Sequence, residues 1–385
     1  MQRLRGAPVA AQDDLVQLLR AKGILTAVEA AQLAQPNVAG APPAGTDGVT
    51  ARFKDGAIFE NAAQGFSFAL NGRLQADYRS FPNSRFNTGA IDTFEVRRAR
   101  FGANAVFGRH YEAEITGDFG SSAKLDTAYL NIGWWQSAQL RLGLFKMPFS
   151  LEEWTSSNYT GFQERALGNA QAPGKERGLM LHGAPITGTT YALALSNGNG
   201  GASTDDNDGK DIIGRVTLNV AELARKKNTV LHIGVAASEG ARPVGDVVAN
   251  GRTEARGVTF FDPAAFTGTR TEVGRRGLEA ALAFGPLKLQ AEAIGTRYEG
   301  ASAAGVSYER DLKAYYAGFT WLVTGEHYAE SYKNGVLSHP AKVELRPARR
   351  AWRDRARSAL QPAVCGRFQR HESDGHRSAW RGAGQ

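Results

Sequence analysis

Cysteine is almost missing from this chain: Cys365 is the only one in 385 residues. A disulfide-stapled scaffold and a cysteine-based zinc site are thereby excluded. No run of 18 apolar residues occurs, so no transmembrane helix is predicted. The longest uncharged run, Gly178 to Thr204, is interrupted by Pro185, Gly188, Gly198 and Gly200 and reads as two strands and a loop. Metal-ligand spacing is lacking among the seven histidines; His371 and His376 lie five apart in the tail. Gly-x-Ser-x-Gly and phosphate-cradling glycine loops are missing, which leaves hydrolase and nucleotide-binding classes without support. Asp205-Asp206-Asn207-Asp208-Gly209 lacks calcium-loop spacing and reads as a solvated loop. With no catalytic set, the chain is expected not to be an enzyme and to need no cofactor or metal. A secretory signal is also not visible. Met1-Gln2-Arg3-Leu4-Arg5 is basic, but no apolar core follows. Either the chain is cytosolic or it starts inside or after such a signal.

Net charge is +8, but the excess is local. From Ala341 to Gln385, ten Arg and Lys342 face Glu344, Asp354, Glu372 and Asp374, a net of +7. The other 340 residues hold 35 basic and 34 acidic groups, a net of +1. Basicity of the whole chain therefore says nothing about nucleic acid. Any functional positive field in the body must come from particular residues.

Residues 1–34 form an N-terminal segment with a helical pattern. Leu15, Leu18, Leu19 and Leu25 share a face, Gly23 can stop one helix, and Thr26-Ala27-Val28-Glu29 forms a capping box for another. Residues 35–49, rich in Pro and Gly, read as a linker. From Thr50 the period changes to two. Phe66, Phe68, Leu70, Gly72, Leu74, Ala76 and Tyr78 fall on one face, with Ser67, Asn71, Arg73, Gln75, Asp77 and Arg79 on the other. About a dozen such segments follow, many near ten residues long, to about Thr324.

Alternation alone indicates half-buried antiparallel sheet, which includes soluble sandwiches. Three features favour a transmembrane barrel. The segments suit the roughly 9–11 residues a barrel strand needs to cross a bilayer. Their polar faces carry charges that a dry core would reject. Aromatic residues gather near segment ends, among them Trp134, Trp135, Tyr315 and Trp321.

Several segments resemble the phosphate-selective porin O/P family. These are Gly72-Arg73-Leu74-Gln75-Ala76-Asp77, Val96-Arg97-Arg98-Ala99-Arg100, Leu144 to Ser157, Gln163-Glu164-Arg165-Ala166-Leu167, and Tyr315-Tyr316-Ala317 with Leu322 to Glu326. The Phe-x-x-Pro-Phe-Ser-Leu-Glu stretch is the most specific of them. The resemblance implies an all-β, 16-stranded, homotrimeric antiparallel barrel in the bacterial outer membrane, in contact with its lipid. It also implies inward-folded loops and an arginine ladder that attracts small anionic solutes such as phosphate or polyphosphate.

The barrel is assigned to 50–335, with a constriction loop at 147–177. This loop is too long for an idle turn, and Pro148, Pro173, Phe149, Trp154, Tyr159 and Phe162 let it fold compactly. Arginine suits phosphate because its planar fork donates two parallel hydrogen bonds. The resemblance places Arg73, Arg97, Arg98 and Arg165 among pore arginines and Asp126 as an acidic member of the narrow site. Arg97 and Arg98 are adjacent, so regular pleating points them to opposite faces unless a bulge intervenes. Arg100 shares a face with Arg98. The family's central phosphate-binding lysine falls at Glu153 here, and another ladder lysine falls at Glu112. These reversals favour an anion-leaning pore over a phosphate-specific one.

After Gly335 the alternation stops and arginine rises. Residues 336–385 are read as an aberrant Arg-rich tail, explained by a shifted reading frame, which leaves the barrel incomplete. The competing reading is a soluble β-sheet interaction protein whose segment Ala348 to Arg357 binds nucleic acid. The barrel reading expects no nucleic-acid partner.

Overall fold

A computed structural model describes residues 48–338, with breaks at 54–55, 82–90, 202–204, 206, 227, 243–250, 253–258, 262–269 and 302–306. The N-terminal helical segment, nearly all of the linker and nearly all of the Arg-rich tail lie outside the described residues. No described helix is long and apolar enough to cross a membrane.

The period-two segments form one antiparallel sheet of 14 strands, each paired with its neighbour in chain order. The first half comprises β1 (Thr50–Phe53), β2 (Ala57–Asn61), β3 (Phe66–Arg79), β4 (Thr93–Phe107), β5 (Tyr111–Asp118), β6 (Lys124–Trp135) and β7 (Ala138–Lys146). The second comprises β8 (Lys175–Gly183), β9 (Thr189–Ser196), β10 (Asp211–Asn219), β11 (Thr229–Arg242), β14 (Thr271–Phe284), β15 (Leu287–Ala301) and β16 (Ser307–Trp321). Between β11 and β14, β12 (Gly251–Arg252) pairs with β13 (Thr259–Phe261) as a separate small ribbon. Strands β1 and β16 end the sheet, and no pairing joins them among the described residues.

The sheet is inside out relative to a water-soluble fold. Leu193, Leu195, Ile212, Val216, Ile233, Val235, Leu278 and Leu282 are exposed, whereas Arg215, Thr217, His232, Ser238, Glu279, Glu292 and Thr296 are buried. On β10 and β11 these two sets alternate residue by residue, as the period of two requires. One face of the sheet is thus suited to hydrocarbon and the other to a polar interior. The connections divide in the same way. Short turns such as Gln136-Ser137 and Gly285-Pro286 lie on one rim, and the long connections lie on the other.

After β16 the chain turns back into the concave side. Leu322 and Tyr328 donate backbone hydrogen bonds to Pro286 and Gly285 at 2.9 Å each. A hairpin of β17 (Tyr332–Lys333) and β18 (Val336–Leu337) follows. Its turn, Asn334-Gly335, has positive φ at both positions, as the favoured two-residue hairpin turn requires. Arg215 donates to the Gly335 carbonyl at 3.0 Å, and Tyr332 Oη meets His232 Nδ1 at 2.8 Å. Leu337 packs with Leu151, Val230, Ala281 and Ala283. This hairpin lies across the assigned boundary at 335.

Candidate pore constriction

The connection from β7 to β8 lies on the concave face. It runs over residues 147–174, three residues shorter than expected, because Lys175 to Arg177 already belong to β8. Its first residues are anchored by burial. Met147 and Phe149 pack with Phe145, Met180, Ala194, Ile213, Ala236 and Ile294, an apolar island on an otherwise polar wall. Gly277 makes room for it, since a Cβ there would stand 3.2 Å from the Phe149 ring.

A single helical turn, Leu151–Trp154, follows. Ser150 caps it by accepting from the Glu153 amide at 3.1 Å. Glu292 on β15 accepts the Leu151 and Glu152 amides at 3.0 and 2.8 Å, and Tyr316 donates to the same carboxylate at 2.6 Å. A carboxylate at these otherwise unpaired amides is favourable. Burial pushes the Glu152 carboxyl up to about 7, with Glu292 adding to the shift and the hydrogen bond from the Ala166 amide opposing it.

Arg165 ties the loop together. It donates to the carbonyls of Glu152 and Thr155 at 3.0 Å each and lies 3.4 Å from the Glu153 carboxylate. Asn169 donates to Glu153 at 2.8 Å, and Lys146 Nζ lies 4.0 Å from it. Lys146 also donates to the carbonyls of Glu153 and Thr155. Glu153 is therefore the counter-charge at the centre of the loop.

The facing wall carries the arginine row. Register shifts between Gln75 and Ala76 of β3: Gln75 faces Arg98 and Ala76 faces Val96, so Arg97 is the extra residue of a bulge. Sequence neighbours then share a side. Arg97 forms a forked pair with Glu164 at 2.5 and 3.1 Å, and Arg98 lies 3.8 Å from the same carboxylate. Arg100 bridges Asp118 and Asp126 at 2.8 Å each. Lys175 holds the other oxygen of Asp126 at 2.5 Å. Arg73 differs from these. It donates to Ser157 Oγ at 3.1 Å and to Asn158 Oδ1, both neutral oxygens of the loop.

All six expected residues, Arg73, Arg97, Arg98, Arg165, Asp126 and Glu153, thus lie on the loop or on the wall beside it. Glu112 does not join them. It accepts from Tyr129 at 3.1 Å and lines a separate cavity. Sequence reasoning missed Lys146, Lys175, Glu164, Asp118 and Arg100 as members of the cluster. Two of these were findable, because Lys146 and Lys175 are the last and first strand residues on either side of the loop.

A 14-stranded antiparallel sheet with an apolar exposed face, and a charged loop folded onto the polar one, defines a transmembrane barrel of the porin class. The family model described as phosphate-selective porin O and P matches residues 68–351, and the chain belongs to that family, a family of the bacterial outer membrane. Porin O of Pseudomonas aeruginosa is 28% identical over 317 residues, covering 73% of this chain and 70% of that protein. Among solved structures, the outer membrane channel DcaP of Acinetobacter baumannii is 11% identical with a TM-score of 0.32, covering 71% of this chain and all of that one. OmpT of Vibrio cholerae is 9% identical with a TM-score of 0.33, covering 76% and 95%.

Proposed function

We propose that this porin gives diffusive passage to small anions past the inward loop and the arginine row of β3 and β4 to which it is bonded. The observation that carries this is Arg73. Its hydrogen bonds among the described residues go to neutral oxygens, with Asp126 and Asp118 acting on it only through space, so its charge is left for a passing anion. Arg97, Arg98 and Arg165 give the path a local positive field, and Glu164, Asp126 and Glu153 moderate it. Strict phosphate selectivity is not part of the proposal, because carboxylates at Glu153 and Glu112 stand where the family resemblance places lysines. The working unit is proposed to be a homotrimer in outer-membrane lipid.

Planar-bilayer recordings with ion substitution test this. They should be made on the chain and on a version with the reading frame restored after Gly335. The expected result is a reversal potential on the anion side, with phosphate no better than chloride. A cation-preferring pore would overturn the proposal.

A further inference from the structure

The concave face holds another cavity, of about 270 Å³, toward the short-turn rim. Arg141, Glu112, His182, Tyr191, Trp154 and Lys333 are among the residues that line it. Arg141 is the unusual member. Its guanidinium stacks 4.2 Å from the centre of the Tyr129 ring and 5.9 Å from that of Phe145. Its Nε is closed off from solvent with no hydrogen-bond partner among the described residues. Nearby Arg215, by contrast, is held by Glu279 at 2.6 Å. A guanidinium over a ring keeps its charge and its orientation. With Nε enclosed, the two Nη groups are the donors that a solute in the cavity would meet.

The geometry points to a solute-binding vestibule in this cavity that takes a small organic monoanion, a carboxylate on a flat apolar body. This rests on the anion-passing pore proposed above and names a solute class for it. The Nη groups of Arg141 and the Lys333 ammonium supply the charge. Trp154, Tyr191 and Ala192 supply apolar walls. Glu112 faces the same space and opposes a second negative charge on the solute, which favours a monocarboxylate over the phosphate dianion. Size agrees as well, since an apolar cavity of about 150 Å³ accommodates benzene. His182 is occupied, its Nε2 lying 2.8 Å from Asn131 Oδ1.

Titration calorimetry on the detergent-solubilised full chain tests the assignment with three probes: benzoate, its neutral analogue benzyl alcohol, and inorganic phosphate. Benzoate should bind, with both others weaker by about tenfold or more. Arg141→Gln should weaken benzoate by about tenfold or more with the β-sheet circular dichroism unchanged. Glu112→Gln should tighten benzoate binding. Benzoate binding that ignores Arg141→Gln, phosphate binding as tight as benzoate, or no benzoate binding would each overturn the vestibule. A chain that prefers anions in bilayers yet fails these titrations loses only the vestibule. One that prefers cations loses the pore reading, whatever benzoate does.

Discussion

The Nε of Arg97 stands 2.5 Å from a carboxylate oxygen of Glu164, 67 residues further along the chain. The bulge in β4 makes this pair possible, because it turns Arg97 toward the loop without turning Arg98 away. Both arginines therefore share one counter-charge.

Glu164→Gln should raise the anion-to-cation permeability ratio. Glutamine can still accept a hydrogen bond from Arg97, so the loop position is kept while two arginines lose their neutralising partner. For an ion passing within about 8 Å, removal of one charge is worth on the order of 1 kcal/mol after screening, or a several-fold change in ratio. Reversal potentials in a salt gradient provide the check, and an unchanged ratio would remove the pair from the selectivity argument.

Arg73→Ala and Arg165→Ala should both lower the ratio, but by different routes. Arg73 ties two loop side chains, Ser157 and Asn158, but no loop carbonyl, so its loss should change selectivity and disturb the open-channel current less. Arg165 holds backbone carbonyls at both ends of the helical turn, so its loss should also release the loop and make the current noisy. Glu153→Gln should raise the ratio. Glu153→Lys should instead disorder the loop, because it would set a third cation beside Arg165 and Lys146. Breaking a buried ion pair in this way costs about 3–5 kcal/mol. Single-channel recordings separate these outcomes.

Anion preference should fall as pH rises through about 7, where Glu152 loses its proton. The folded chain holds this proton more tightly than an unfolded one, in which the carboxyl titrates at about 4.3. The resulting stabilisation is fully present below the unfolded value and is lost as pH rises toward 7. Glu152→Gln should flatten the change in reversal potential between acid and alkaline buffer. A slope that survives the substitution would assign the effect to another group.

Much of this arrangement was legible in the sequence. Alternation on segments such as Phe66 to Tyr78 located the strands, since a period of two is written directly in side-chain type. Arg73 lay on the polar face by period and by family resemblance alike. The shared side of Arg97 and Arg98 was not legible, because a bulge depends on the register of the partner strand and leaves no mark in its own residues. The role of Glu292 was equally hidden, as a carboxylate on the polar face of a strand looks the same whether it meets water or a loop amide. Glu153 was identified as a charge reversal, but its place as the loop's counter-ion required the positions of Arg165, Lys146 and Asn169 together.

Val235→Arg tests the outward face. Val235 is exposed and pairs with Leu278, also exposed, near mid-strand. In lipid the substitution should destabilise the barrel by about 2–4 kcal/mol, read from denaturant unfolding in bilayers. An indifferent result would place this surface in water.

The frame-shift reading of the tail predicts that the chain as written forms no heat-resistant trimer in gel electrophoresis. Translation in the other two frames, from Gly335 or from a point up to residue 351 where the family match ends, should recover alternating strands rich in glycine and aromatic residues. If neither frame gives them, or if this chain migrates as a heat-resistant trimer, the proposal is wrong.

Glu292 is 141 residues beyond the Leu151 amide it holds. Leu337, which packs against Leu151, comes later still. The helical turn of the loop is therefore made early and receives these two partners late. While β8 to β14 assemble, the Leu151 and Glu152 amides lack Glu292, and the Leu151 side chain lacks Leu337. Contacts with β3, β4 and β8 to β11 can form earlier, but part of the entropy of closing so long a connection is recovered when β15 arrives. The path through this protein should accordingly be wide during assembly and narrow only at its end, a sequence of events that time-resolved solute leakage would record as a transient.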